Sequence, residues 1–285
     1  VPLTRLQSEL LRTLADQRSP DSHIAGGIAI NRDGPRFSSD IDIFNDNEDR
    51  LVATAERDAA ILTEAGFQID WLSRRGTGKR TALAHGLGES TQLEWMADAD
   101  FRFFPAQRDP LFGYVLHPAD LATNKASAAA DRRAPRDIVD LVTIHERILP
   151  LGAVVSAAVG RFPGMTPEEM LAEIRRRSTF TADEFQALAM EEPIDVRRTQ
   201  RSIRAMLEHA EAFVQELPSE AVGLLFLEGD RPVQPDPSRL DRYRRHAGAR
   251  RGHWPSSPAI GTAMLERYQK DTDRAPGRRI PPEDA

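Results

Sequence analysis

Asp40 and Asp42 stand two residues apart in the run Asp40-Ile41-Asp42-Ile43-Phe44. In an extended strand, residues i and i+2 share a face, so both carboxylates point one way while Ile41 and Ile43 point the other. Paired carboxylates are oxygen ligands for a hard cation such as Mg²⁺. Two-metal sites of this kind stabilise the attacking and leaving oxygens of an in-line displacement at phosphorus. Upstream, Gly26 and Gly27 have no Cβ, so the backbone there can take positive φ and approach a ligand closely, and a short helix over residues 28–31 would turn free amides toward a phosphate. Between the two devices lie Arg36, a guanidinium fork, and Ser38, a hydroxyl, both suited to triphosphate oxygens.

A second constellation follows in His117 to Leu141. Lys125 and Arg132 are seven residues apart, two turns along one helix face, where an ammonium and a guanidinium can grip the same phosphate chain. Arg136, Asp137 and Asp140 open the next helix, and either aspartate is placed to orient Lys125 or an acceptor. Each piece has an ordinary reading. Gly-Gly is a common turn, Asp-x-Asp a common solvated strand face, and acids in a first helical turn complement the helix dipole.

Taken in order, Gly26-Gly27, Arg36-x-Ser38-x-Asp40-x-Asp42 and Lys125 with Arg132, Arg136-Asp137 and Asp140 resemble the two motifs of the AbiEii/AbiGii-type nucleotidyltransferase toxins, of the polymerase-β-like superfamily. The resemblance covers residues 24–141 and not the helical half beyond. It implies Mg²⁺-dependent transfer of a nucleoside monophosphate from a triphosphate to an acceptor, often the 3′ end of a tRNA, with an antitoxin as partner. In those terms Asp40, Asp42, Lys125 and Asp137 are the catalytic candidates. Gly26, Gly27, Arg36, Ser38, Lys125 and Arg132 would hold the nucleotide. A third acidic residue is implied on a later strand; Glu94, between Leu93 and Trp95, is the best match, with Asp98 and Asp100 as competitors. Two other functions stay open: nucleotidyl transfer to a small molecule or a protein side chain, and nucleotide binding without turnover.

The elements that must position these groups follow from periodicity. Leu3, Leu6, Leu10, Leu11 and Leu14 mark a first helix stopped by Pro20. Strands are predicted at residues 23–25 and 38–44, then a long helix through Leu51, Ala55, Ala59, Leu62 and Ala65 that Gly66 closes. Runs at 67–73, 80–85 and 91–96, separated by Gly76-Thr77-Gly78 and Gly86-Leu87-Gly88, read as an antiparallel meander. Pro118 and Pro135 start two helices. Beyond Pro150, helices are predicted at 151–159, 166–177, 181–190, 195–217 and 219–227, and from Gly229 an extended Pro/Arg-rich tail, with a short helix at 259–268.

The fold class is therefore α+β: a mixed or antiparallel nucleotidyltransferase sheet flanked by helices (1–149), a helical domain (150–228) and the tail (229–285). A length of 285 residues suits that division. A net charge of −6 argues against a protein that coats nucleic acid, so any RNA contact must be a local patch; Arg175-Arg176-Arg177, Arg244-Arg245 and Arg250-Arg251 are candidates. The absence of cysteine excludes disulfides and thiolate metal sites and fits a cytoplasmic setting. No apolar run approaches a membrane span, and residues 1–5 do not lead into a signal-peptide core. The chain opens on Val1 rather than methionine, so a few further native residues are expected ahead of it.

Overall fold

A computed structural model describes residues 3–46, 48–75, 78–97, 101–162 and 164–250. The first helix, α1 (Arg5–Leu14), is capped by a reciprocal Thr4–Gln7 box and buries Leu6, Leu10, Leu11 and Leu14. Strand β1 (Ser22–Ala25) leads into α2 (Gly26–Ile30), and β2 (Asp40–Asn45) carries the paired aspartates. Helix α3 (Glu48–Glu64) crosses to the meander β3 (Gln68–Ser73), β4 (Lys79–Gly86) and β5 (Glu89–Ala97). Three short strands, β6 (Phe101–Arg102), β7 (Gln107–Asp109) and β8 (Gly113–Val115), precede α4 (Pro118–Asp131) and α5 (Pro135–Arg147).

Seven strands form one mixed sheet in the order β3-β4-β5-β2-β1-β8-β7. The meander is antiparallel, but β2 joins it by pairing parallel to β5, which sets Asp42 beside Glu94. Alternation then divides the faces. Ile41, Ile43, Leu93 and Trp95 are buried against α1 and α3, while Asp40, Asp42 and Glu94 emerge on the opposite face, the one that α2 and α4 cover.

Past Pro150 the chain is mainly helical: α6 (Leu151–Ala158), α7 (Pro167–Arg177), α8 (Ala182–Gln186) and α9 (Val196–Glu216). One apolar cluster joins α4 and α5 to α6, α7 and α9 and reaches Leu225 and Leu227. Two expectations are corrected. The helix predicted at 181–190 stops at Gln186, and the following segment runs antiparallel beside the loop before β2, with an Arg36–Met190 bridge. The helix predicted at 219–227 is a short turn followed by strand β9 (Leu224–Glu228). A four-residue apolar run has no readable period. Gly223, at φ +83°, breaks the turn, and β10 (Arg231–Val233) and β11 (Arg244–Ala247) supply pairing on both edges. Beyond Gly229 the described chain is extended in part: β10 and β11 flank a short 3-10 helix (Pro237–Arg242), and the segment ends in β12 (Ala249–Arg250) against β6. The helix predicted at 259–268 lies outside the described residues.

This returning segment creates a buried histidine seam beside α4. His246 Nε2 lies 2.6 Å from the Phe103 carbonyl oxygen, which can only accept. His117, the N-cap of α4, stacks on Phe104 with ring centroids 4.0 Å apart. Burial, with His246 nearby, pushes His117 down to about 3, and burial pushes His246 down to about 4. Unfolded histidines protonate near pH 6.5, so below that value the unfolded state binds protons that the folded state refuses. Stability is complete above pH 6.5 and falls below it by about 1.4 kcal/mol per pH unit for each ring. Acidification from pH 7 to 5 is therefore expected to lower the melting temperature, and less steeply for His246→Gln. Coincident pH profiles for parent and variant would remove the seam as the cause.

Candidate active site

The glycine pair is held tightly against the carboxylates. Gly26 has φ +69°, and a Cβ there would fall 1.7 Å from Asp42 Oδ2; a Cβ on Gly27 would meet Arg36 Nη2 at 2.6 Å and Ser38 Oγ at 2.9 Å. The helix that the pair opens is only five residues long, so it offers close backbone approach rather than a long helix dipole. Gly26→Ala is expected to cost about 1–2 kcal/mol for the left-handed backbone alone, and more because Asp42 must move. Thermal melting and triphosphate binding check this; both unchanged would mean that Asp42 has room to spare.

Asp40 accepts a hydrogen bond from Ser38 Oγ (2.8 Å), and Arg136 Nη1 stands 4.0 Å from its other oxygen. Asp42 faces less cationic company. Burial, then Asp40, then Glu94 push its carboxyl up to about 7, against the opposing pull of Lys125 and Arg136. Glu94 lines the same cavity but is tied to Lys79 Nζ at 2.8 Å and accepts from Gln92. Asp98 and Asp100 lie outside the described residues.

Behind the cavity wall runs a chain of alternating charge. Arg36 grips Asp140 through Nε and Nη2 (2.8 and 2.9 Å), and its Nη1 donates to the Phe37 carbonyl. Asn31 Nδ2 donates to the same Asp140 (2.7 Å) and to the Gly27 carbonyl. Lys125 Nζ sits 2.9 Å from both Asp137 and Asp140, and Arg132 closes on Asp137 at 2.7 Å. Burial works against every one of these charges, yet the partners win. Asp137 is brought down to about 2 by Arg132 and Lys125, Asp140 is lowered by Lys125 and Arg36, and Lys125 is raised by Asp140 and Asp137. The predicted residues thus separate into two groups. Gly26, Gly27, Arg36, Asp40, Asp42, Glu94, Lys125 and Arg132 line one cavity of about 310 Å³. Ser38 acts on it through Asp40, and the buried Asp137 lies behind Lys125. Arg36, expected on phosphate, has each nitrogen on a protein partner, which makes it a buttress of the glycine loop.

The lining is mixed: Asp40, Asp42, Arg132 and Arg136 charge it, Phe44, Met96 and Leu121 add apolar surface, and Lys79 stands opposite Met96. Asn31, Asn124 and Lys79 were not singled out from the sequence. Lys79 was legible, because counting back from the Gly86-Leu87-Gly88 turn places it opposite Met96 and on the Glu94 face. Asn31 and Asn124 had no signal, since their meaning depends on contacts far along the chain. Of the arginines considered for RNA, Arg175 pairs with Glu211, Arg176 and Arg177 with Glu173, and Arg244 with Asp230. Arg251 lies outside the described residues.

An oxygen-only carboxylate pair, one member of it strained by like charge, fits a hard divalent cation. Among the described residues, no group of three acidic or histidine side chains is close enough to hold a metal alone. Asp40 and Asp42 would therefore share such an ion with substrate oxygens. Among the described residues, no helix is long and apolar enough to cross a membrane.

The fold is similar to MenT4, a nucleotidyltransferase toxin from Mycobacterium tuberculosis H37Rv, with TM-score 0.54 and 17% identity over 75% of this chain and 83% of that one. A putative nucleotidyltransferase from H. pylori aligns with TM-score 0.43 and 14% identity over 73% of this chain and 92% of that one. No functionally curated protein matches the sequence significantly. The family described as "Nucleotidyl transferase AbiEii toxin, Type IV TA system" matches residues 10–222. With most of its length matched and the carboxylate pair facing Lys125 across one cavity, the chain belongs to the AbiEii nucleotidyltransferase toxins of type IV toxin–antitoxin systems.

Proposed function

We propose that this nucleotidyltransferase uses Mg²⁺ at Asp40 and Asp42 and transfers a nucleoside monophosphate to an RNA, with the 3′ end of tRNA as the acceptor. The observation that carries the metal reading is charge balance. Around the cavity, the carboxylates of Asp40, Asp42, Glu94, Asp137 and Asp140 face the cations Lys79, Lys125, Arg36, Arg132 and Arg136, so the protein brings no net positive charge to a triphosphate. A bound divalent ion supplies the missing charge on the phosphate oxygens and on the departing pyrophosphate.

The protein's own groups have separate tasks. Gly26 and Gly27 allow the backbone to approach the phosphates, and Lys125 presents an ammonium whose position two buried aspartates define. Arg132 and Arg136 flank the carboxylates, where they oppose charge on the leaving group. The acceptor oxygen bonds to the α-phosphorus as the bond to pyrophosphate breaks. RNA as the acceptor rests on kinship with the toxin family, and an antitoxin is expected alongside. Because most of the arginine runs are tied in ion pairs, RNA must reach the site through a small patch, and its binding should weaken as salt rises.

Growth after induction of the parent and of Asp40→Ala, with RNA from both cultures examined for 3′ additions, tests the reading. Arrest and modified tRNA with the parent alone are expected. Arrest by both proteins alike would separate toxicity from the site. Label found on a protein or small molecule instead of RNA would replace the acceptor.

A further inference from the structure

Helix α9 carries Arg197, Arg198, Arg201 and Arg204 in its first half, and all four are exposed. A helix turns by about 100° per residue, so Arg197, Arg201 and Arg204 form one stripe with Arg198 at its flank. The opposite face, with Ile203, Met206, Leu207 and Ala210, is buried against the neighbouring helices. Among the described residues, none of the four guanidiniums has an ion-pair, hydrogen-bond or ring partner. Asp195 is engaged at the helix start, where it accepts from the Arg198 backbone N–H (3.0 Å), and Glu208, one turn beyond Arg204, forms no ion pair with it. The placement also runs against the helix dipole. Helices α3, α4, α5, α7 and α8 put at least one acid in the first turn, whereas α9 has Arg197 and Arg198 there and ends on Glu216. Cations at a helix N-terminus are unfavourable, so local helix energetics do not account for these arginines.

A protein of net charge −6 repels RNA except where cations are gathered. The stripe spans about 10 Å along the helix axis, and guanidinium forks match phosphate oxygens. We propose that this face of α9 holds the phosphate backbone of the acceptor, a proposal that rests on RNA being the acceptor. The contacts carry affinity and orientation but no base sequence. Their place in the fold suits the body of the RNA rather than its reacting end. Glu191 N donates to the Pro35 carbonyl (2.8 Å), and Met190 bridges Arg36, a residue of the cavity wall. Helix α9 begins at Val196, so the chain that joins this anchor to the stripe is at most about 18 Å long. RNA seated on the stripe is thereby anchored within a few nucleotides' length of the cavity wall.

Binding of labelled tRNA to the full chain across a salt series tests the proposal. The variant combines Arg197→Gln, Arg201→Gln and Arg204→Gln, and a control of equal net charge changes the exposed Arg5, Arg231 and Arg242 to Gln instead. Each lost phosphate contact flattens the slope of log K against log salt by about 0.7–0.9, so the α9 variant should show a slope shallower by about 2 and bind about tenfold or more weakly at low salt. The control should stay near the parent. Triphosphate affinity should be unchanged in the α9 variant, and KM for RNA should rise with kcat nearly preserved. Its melting point should be level with or above that of the parent, because cations leave the positive end of a helix. Equal tRNA affinity and salt slope in parent and α9 variant, or an equal loss in the control, overturns the surface and leaves RNA standing as the acceptor. A lower melting point with unchanged tRNA affinity overturns it too, by making the arginines structural. No tRNA binding by the parent at any salt overturns the surface, and nucleotidyl label found on a protein or small molecule removes the RNA reading beneath it.

Discussion

Asp42→Asn is expected to lower nucleotidyl transfer by about 10³-fold, the scale on which removal of one charge-stabilising group acts in a preorganised site, and at the same time to stabilise the metal-free protein above neutral pH. The two effects have one origin. Asp42 is half-buried between Asp40 and Glu94, and desolvation with these two charges pushes its carboxyl up to about 7 from an ordinary value of 3.8. Between those values the folded chain holds a proton that the unfolded chain has released, so this group's contribution falls as pH rises through the window. Its full cost remains above pH 7 and is on the order of a few kcal/mol. Asparagine never ionises and escapes that cost. Melting of both proteins without divalent ions, well above and well below neutrality, should show the variant ahead in base and level in acid. Added Mg²⁺ with a triphosphate should raise the melting point of the parent and leave the variant nearly unmoved. A variant less stable than the parent in base would mean that Asp42 is compensated by something other than a bound cation.

Lys125→Ala should damage fold and turnover together. The ammonium is buried, and its two partners, Asp137 and Asp140, are fully buried. Removing one member of a buried pair while the other stays costs about 3–5 kcal/mol. Here Arg36 and Arg132 still hold the orphaned carboxylates, which favours the lower end of that range. Turnover should drop by about 10²-fold or more. Since the loss of a phosphate ligand and the loss of stability are mixed, turnover is to be measured well below the variant's melting point and beside the triphosphate dissociation constant. The acid response offers an independent check. In the parent, Lys125 helps to hold both aspartates below the usual carboxylate range, so their contribution is present above pH 4 and is lost as pH falls through the lowered values. Without Lys125 these carboxyls titrate higher, and mild acid should narrow the stability gap between variant and parent. An unchanged melting point and an unchanged triphosphate affinity would place Lys125 outside both roles.

Much of the architecture was legible because it is local. Alternation through residues 40–45 and 89–97 assigns each residue to a face, and proline at the starts of α4 and α5 marks their first turns. The short strands β6, β7 and β8 gave no signal, because two or three residues have no period, and β9 looked helical for the same reason. Arg36 shows the limit of reading a side chain by its type. A guanidinium between a glycine turn and a metal strand suits phosphate, but whether it meets phosphate or protein depends on where Asp140, 104 residues further on, is brought.

By itself the sequence determined which residues have the chemistry: two carboxylates on one strand face, a glycine pair whose backbone can approach a ligand, and a lysine and an arginine seven residues apart. Periodicity of 2 and of 3.6 residues is a property of the backbone and needs no partner. Only the tertiary structure decided the rest. Parallel pairing of β2 with β5 brought Glu94 beside Asp42, and packing of α5 against α4 committed Asp137 and Asp140 to Lys125. These are contacts between groups distant in sequence, and their energies depend on burial and on each other, which no local pattern records.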